Sequence, residues 1–113
     1  SDLGIIAPDQ RIYKKSGFTK PITYSVVKHG IIGLTKYTAS YWGEKNIRCN
    51  AIAPGGIYNK QDSSFVKKIN QLIPLRRMAK KNEYNGLILF LCSDLSSYMT
   101  GSIIVADGGR TII

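Results

Sequence analysis

A chain of 113 residues with 43% hydrophobic content holds one small globular domain, or part of one. Its formal charge is +9, but the densest basic cluster, Arg76, Arg77, Lys80 and Lys81, lacks the interleaved aromatics of a nucleic-acid surface, so it reads as solvated surface and nucleic acid is not the expected partner. The longest apolar run, Leu87 to Cys92, is too short to cross a membrane, no leader-like segment is visible, and His29, the only histidine, stands in no metal-binding spacing.

Residues 1–20 read as the remnant of a strand running into a loop, punctuated by Gly4, Pro8 and Gly17. Ile22 to about Gly43 reads as a helix, with Val27, Ile31, Leu34 and Thr38 at helical period. Gly30 and Gly33 are poor helix formers and would admit another helix or a cofactor at close range. Lys45-Asn46 breaks the segment. Ile47 to Ala53 alternates like a strand, and Pro54-Gly55-Gly56 ends it. Residues 57–80 look mostly irregular, with a short helix over Ser63–Leu72. Asn82 is a candidate cap for a helix whose Tyr84, Leu87, Ile88 and Leu91 share one stripe. Ser102 to Ala106 reads as a short buried strand before Asp107-Gly108-Gly109, which reads as a structural turn. Cys49 and Cys92 fall in a predicted strand and a predicted helix and are expected to be buried thiols in a reducing compartment, the cytoplasm. Strands alternating with helices predict a parallel α/β sheet. Three strands at most are too few for a complete fold of that kind.

Tyr24 and Lys28 carry the chemistry. Four residues is about one helical turn, so both side chains leave one face. A fixed ammonium beside a phenol favours the phenolate, and such a pair can exchange a proton with a substrate oxygen. Taken alone, the pair also suits an ordinary helix surface.

Four ordered blocks sharpen this. Ser1-Asp2-Leu3-Gly4 forms a Ser-x-x-Gly. Tyr24-Ser25-Val26-Val27-Lys28 forms a Tyr-x-x-x-Lys followed by Gly30. Asn50-Ala51-Ile52-Ala53-Pro54-Gly55 joins a strand to a Pro-Gly turn. Leu91 to Asp94, Tyr98 to Gly101 and Val105 to Gly109 close the series. Together they resemble the C-terminal half of a short-chain dehydrogenase/reductase, nearly end to end. The resemblance implies the C-terminal part of a Rossmann-like doubly wound parallel sheet. Residues 1–113 would be the catalytic portion of one incomplete domain, with the N-terminal nucleotide-binding half absent.

The resemblance also implies an NAD(P)-dependent oxidoreductase interconverting a carbonyl and an alcohol, with NAD or NADP as cofactor. Tyr24 would be the general acid/base. Lys28 would favour its ionised form and hydrogen-bond the nicotinamide ribose, and Ser1 would hold the substrate oxygen. Pro54, Gly55 and the backbone around Ile57 would contact the carboxamide, so the cofactor set is Tyr24, Lys28, Pro54, Gly55 and Ile57. No metal is implied. The partners would be a small carbonyl/alcohol substrate and further copies of the chain in a homo-oligomer, with no nucleic acid and no membrane.

The chain departs from the family pattern in several places. The spacer from Ser1 to Tyr24 is long, and its Ala7 to Phe18 portion reads as an inserted surface loop. Through Tyr13, Lys14 and Lys15 it could instead meet an anionic or sugar-like substrate. Asn59 stands where many relatives have Thr, Arg76 where they often have Gly, and Lys81 where they often have Pro. No glycine-rich dinucleotide turn follows a strand. The alternative is therefore a non-catalytic piece acting as a folding or oligomerisation module, with Val27, Ile31, Leu34, Tyr41 and Trp42 as its face.

Overall fold

The computed structural model describes the backbone of residues 1–113 and every side chain except those of residues 14–16. The substrate contact expected of Lys14 and Lys15 therefore lies outside the described residues. Helix α1 spans Ile22–Trp42, strand β1 Ala51–Pro54, helix α2 Ser63–Gln71, helix α3 Asn85–Leu91 and strand β2 Ile103–Ala106. The two strands pair in parallel, Ala51 opposite Ile103 and Pro54 opposite Ala106. The ladder runs one bond past β1, where Gly55 N–H donates to Ala106 O at 3.0 Å.

The first twenty residues hold two 3-10 helices where a strand remnant and a continuous loop were expected, with irregular chain at 5–9 and 17–20. Asp2–Gly4 forms a 3-10 turn whose Leu3 N–H donates to Ser1 Oγ at 3.2 Å. Gln10–Ser16 forms a second 3-10 helix, opened by Asp9, whose carboxylate accepts from Arg11 N–H at 2.9 Å. Ile12 of this helix is buried with Ile69, Ile73 and Met78, and Tyr13, Phe65, Val66 and Leu72 pack around them. The Ala7–Phe18 portion is thus anchored to the core through Ile12, while Ala7, Gln10, Arg11, Gly17 and Phe18 stay exposed; the apolar partner of Ile12 in α2 is one that local sequence does not reveal.

Strand β1 begins four residues later than expected. Cys49 N–H donates to Thr100 Oγ1 at 3.1 Å and Cys49 O accepts from Gly101 N–H at 2.7 Å, so irregular bonds replace the ladder there. Cys49 is half-buried, and Cys92 is exposed where it closes α3, so neither is the fully buried thiol expected. Helix α3 likewise starts at Asn85, not after a cap at Asn82, because Glu83 is turned back to Lys80 N–H at 2.6 Å. Residues 91–102 are organised by two side chains. The Arg48 guanidinium donates to the carbonyls of Leu91, Ser96 and Met99 at 3.0–3.1 Å. Asn50 donates to Met99 O at 2.8 Å and accepts from Ser102 N–H at 3.0 Å.

Asp107-Gly108-Gly109 is a structural turn, as read from sequence. The Asp107 carboxylate accepts from Gly109 N–H at 2.9 Å and Thr111 N–H at 2.7 Å. Gly108 has φ +70°, and a Cβ there would lie 2.7 Å from Ile73 Cγ2. The Cα radius of gyration is 15.8 Å, against about 13 Å for a self-contained domain of this length. Helix α1 is the least buried long element. Only Thr35 and Ala39 of its side chains are buried, while Val27, Leu34, Tyr37, Tyr41 and Trp42 face solvent. A Cβ at Gly30 or Gly33 would meet nothing within 4 Å, so no second element uses the approach they permit.

Candidate active site

The first turn, the start of α1 and the C-terminal end of β1 converge on one cavity of about 490 Å³. Ser1, Tyr24, Lys28, Pro54, Gly55 and Ile57, the six residues singled out from sequence, all line it. Tyr24 Oη donates to Ser1 Oγ at 3.4 Å, a long hydrogen bond. Lys28 Nζ sits 5.4 Å from the Tyr24 ring centroid, one helical turn along.

Close packing sets this arrangement. A Cβ on Gly4 would lie 2.7 Å from the Lys28 carbonyl oxygen. Glycine there lets the first turn lie directly against α1, which brings Ser1 beside Tyr24. The turn is held from the other side by Asp2, whose Oδ2 accepts from Arg110 Nη1 at 2.8 Å in a nearly fully buried ion pair. Asp2 Oδ1 also accepts from Leu3 N–H at 2.8 Å and from Ser1 Oγ at 3.2 Å.

Several cavity residues were not singled out by sequence. Lys20 Nζ lies 4.3 Å from the Tyr24 ring centroid and 5.7 Å from that of Tyr13. Lys20 precedes Tyr24 by the same four residues that separate Tyr24 from Lys28. Pro21 ends the helix between them, so helical periodicity was not carried back to it. Gln61, Phe65, Ile69 and Met78 add to the wall. Burial pushes the Tyr13 phenol up from its ordinary range, with Arg110 opposing and Asp2 reinforcing, so Tyr13 presents a neutral hydroxyl. Its ring stacks obliquely on Phe65, centroids 5.5 Å apart.

Other features lie away from this cavity. Tyr84, pushed up by burial, donates to Ala106 O at 3.2 Å behind the strands. Arg77 and Glu83 form an exposed bidentate pair at 2.6 and 2.7 Å, which neutralises part of the basic cluster. Arg76 adopts φ +55°, the left-handed conformation that glycine tolerates best. Among the described residues, no group of three or more His, Cys, Asp and Glu side chains could hold a metal ion, and no helix is long and apolar enough to cross a membrane.

The chain is similar to known proteins. Residues 11–111 match the profile of the family described as Enoyl-(Acyl carrier protein) reductase. The chain is 42% identical over 95 residues to trans-4-hydroxycyclohexanecarboxylate dehydrogenase of Sinomonas cyclohexanicum, covering 84% of this chain and 36% of that protein. It is 42% identical over 105 residues to 3-oxoacyl-(acyl-carrier-protein) reductase FabG of Thermotoga maritima, covering 89% and 42%. A crystal structure of a short-chain dehydrogenase from Leptospira borgpetersenii with bound NAD+ superposes with a TM-score of 0.91 at 40% identity, over 98% of this chain and 42% of that one. The chain therefore spans about two fifths of the length of the relatives it matches.

Proposed function

This chain belongs to the short-chain dehydrogenase/reductase family, of whose Rossmann-like fold it forms the C-terminal part, and on that premise we propose that it is the catalytic portion of an NAD(H)-dependent oxidoreductase interconverting a carbonyl and an alcohol. The observation that carries this reading is the meeting of Tyr24, Lys28 and Ser1 on one cavity wall opposite Pro54, Gly55 and Ile57.

In the reduction direction, Tyr24 Oη donates a proton to the carbonyl oxygen as negative charge develops there. In the oxidation direction it removes the hydroxyl proton. The Ser1 hydroxyl, rotated from Asp2 towards the substrate, would donate a second hydrogen bond to the same oxygen and fix its place. Lys28 would stabilise the phenolate left behind and would hydrogen-bond the ribose of the cofactor. The nicotinamide, when bound, supplies or accepts the hydride. It would rest against Pro54, Gly55 and the backbone at Ile57. The cavity fits that group: one wall is polar and cationic, and the other is a strand end with little side-chain bulk. The Leptospira relative holds NAD+, which favours NAD(H) over the phosphorylated form. The glycine-rich pyrophosphate turn of the family is not in these residues, so the reading assigns it to a segment preceding Ser1.

The test is turnover by the protein extended through that segment. Dehydrogenase or reductase activity with a nicotinamide cofactor, lost in Tyr24→Phe, supports the reading; activity retained in that variant overturns it.

A second reading rests on the solvent-facing apolar row of Val27, Ile31, Leu34, Tyr41 and Trp42 on α1. On it the isolated chain is a folding or oligomerisation module without catalysis. An extended protein whose nicotinamide-dependent turnover is lost in Tyr24→Phe decides against this second reading.

A further inference from the structure

The charges on the cavity wall are unbalanced. Among the described residues, its charged lining side chains are Asp2, Arg110, Lys20 and Lys28. Asp2 and Arg110 neutralise each other in their buried pair. Lys28 is engaged by the reading above, in which it serves Tyr24 and the cofactor ribose. That leaves Lys20, and among the described residues no carboxylate forms an ion pair with it.

Lys20 is also held in place. The Gln10 side-chain amide pairs with its main chain in both directions, Lys20 N–H donating to Gln10 Oε1 at 3.0 Å and Gln10 Nε2 donating to Lys20 O at 2.9 Å. Gln10 belongs to the 3-10 helix that Ile12 anchors in the core. The ammonium then lies over two aromatic rings, Tyr24 at 4.3 Å and Tyr13 at 5.7 Å. Ring faces hold a cation without neutralising it, so its charge stays available to an anion.

We propose that Lys20 is a specificity-determining residue that selects carbonyl and alcohol substrates bearing an anionic group, carboxylate or phosphate, a few bonds from the reacting carbon. The inference rests on the catalytic reading above for the position of that carbon beside Tyr24 Oη. In a half-closed cavity a charge-assisted hydrogen bond from Lys20 is stronger than the same bond in water.

The test uses the N-terminally extended protein and matched substrate pairs: acetoacetate against methyl acetoacetate, and dihydroxyacetone phosphate against dihydroxyacetone. The expected result is a kcat/KM ratio of roughly tenfold or more for the anion over its neutral partner in at least one pair. Which pair shows it distinguishes carboxylate from phosphate. Lys20→Met is expected to bring that ratio to about one, and Lys20→Arg to keep most of it. General damage to the fold lowers both members of a pair and leaves the ratio in place. A wild-type ratio near one in both pairs, or a ratio that survives Lys20→Met, overturns the proposal. Calorimetric binding of the preferred anion to Tyr24→Phe, which lacks the acid/base, reads the anion site without turnover. Binding retained there and lost in the Tyr24→Phe, Lys20→Met double variant supports Lys20 even if the acid/base assignment fails.

Discussion

Asp2 and Arg110 meet in a nearly fully buried ion pair at 2.8 Å, which ties the first turn of the chain to its last. The same carboxylate steadies Ser1 through Oδ1. The pair therefore fixes the position of a side chain that the proposed mechanism uses, from the far end of the sequence.

Breaking this pair is expected to be costly. Arg110→Met leaves the Asp2 carboxylate buried without its cation, which costs about 3–5 kcal/mol. Asp2→Asn combined with Arg110→Met removes both charges and is expected to cost less than the single change. Denaturant unfolding of the extended protein measures both. A single-variant loss below about 1 kcal/mol would show that water reaches the pair.

Tyr24→Phe in the extended protein is expected to lower kcat by on the order of 10²–10⁴ while the circular dichroism spectrum stays as in wild type. Lys28→Met is expected to slow turnover as well, because Tyr24 loses the cation one helical turn along. Turnover at the wild-type rate would remove Lys28 from the mechanism.

The isolated 113-residue chain is expected to bind NAD+ more weakly than about micromolar, roughly −8 kcal/mol. Nothing in it cradles the pyrophosphate on a glycine-rich turn. It is also expected to self-associate, because two strands and an unpaired α1 face leave apolar surface in water. Its positive charge opposes association less at high salt. Sedimentation velocity at two salt concentrations checks this, and a compact monomer at both contradicts it.

Glu83 gives a pH signature. Hydrogen bonds from Arg77 and the Lys80 N–H hold its carboxyl at about 2. In an unfolded chain a glutamate titrates near ~4.3. A depressed folded value favours the folded state at pH above the unfolded value, and that contribution is lost as pH falls from there through about 2. An NMR titration is expected to find the Glu83 midpoint near 2. Arg77→Leu is expected to raise the midpoint, and a midpoint that stays put would show that Arg77 is not its cause.

The parts legible in the sequence were those governed by local period. Helix α1 begins at Ile22 as expected, and the turn spacing of Tyr24 and Lys28 places them on one wall. Helix α2 and strand β2 match their expected spans to within a residue, but β2 is not the buried strand expected, since Val105 is exposed and its neighbours are half-buried. The parts missed depend on partners distant in sequence. Ile12 looked like loop because its partners, Ile69 and Ile73, are nearly sixty residues away. The late start of β1 follows from bonds to residues 100 and 101 that alternation cannot register. Lys20 was passed over because Pro21 separates it from the helix whose spacing it continues. Cys92 was read as buried from residue type, but α3 has no fully buried side chain.

Arg48 makes the end of α3 and the turns that follow it a single opening unit. Its guanidinium holds the carbonyls of Leu91, Ser96 and Met99 at once, so none of these turns can fray without loosening the others. Amide hydrogens across 91–101 would then exchange with solvent at one shared rate. In Arg48→Met they would separate into a gradient, fastest near Tyr98, whose side chain is fully exposed.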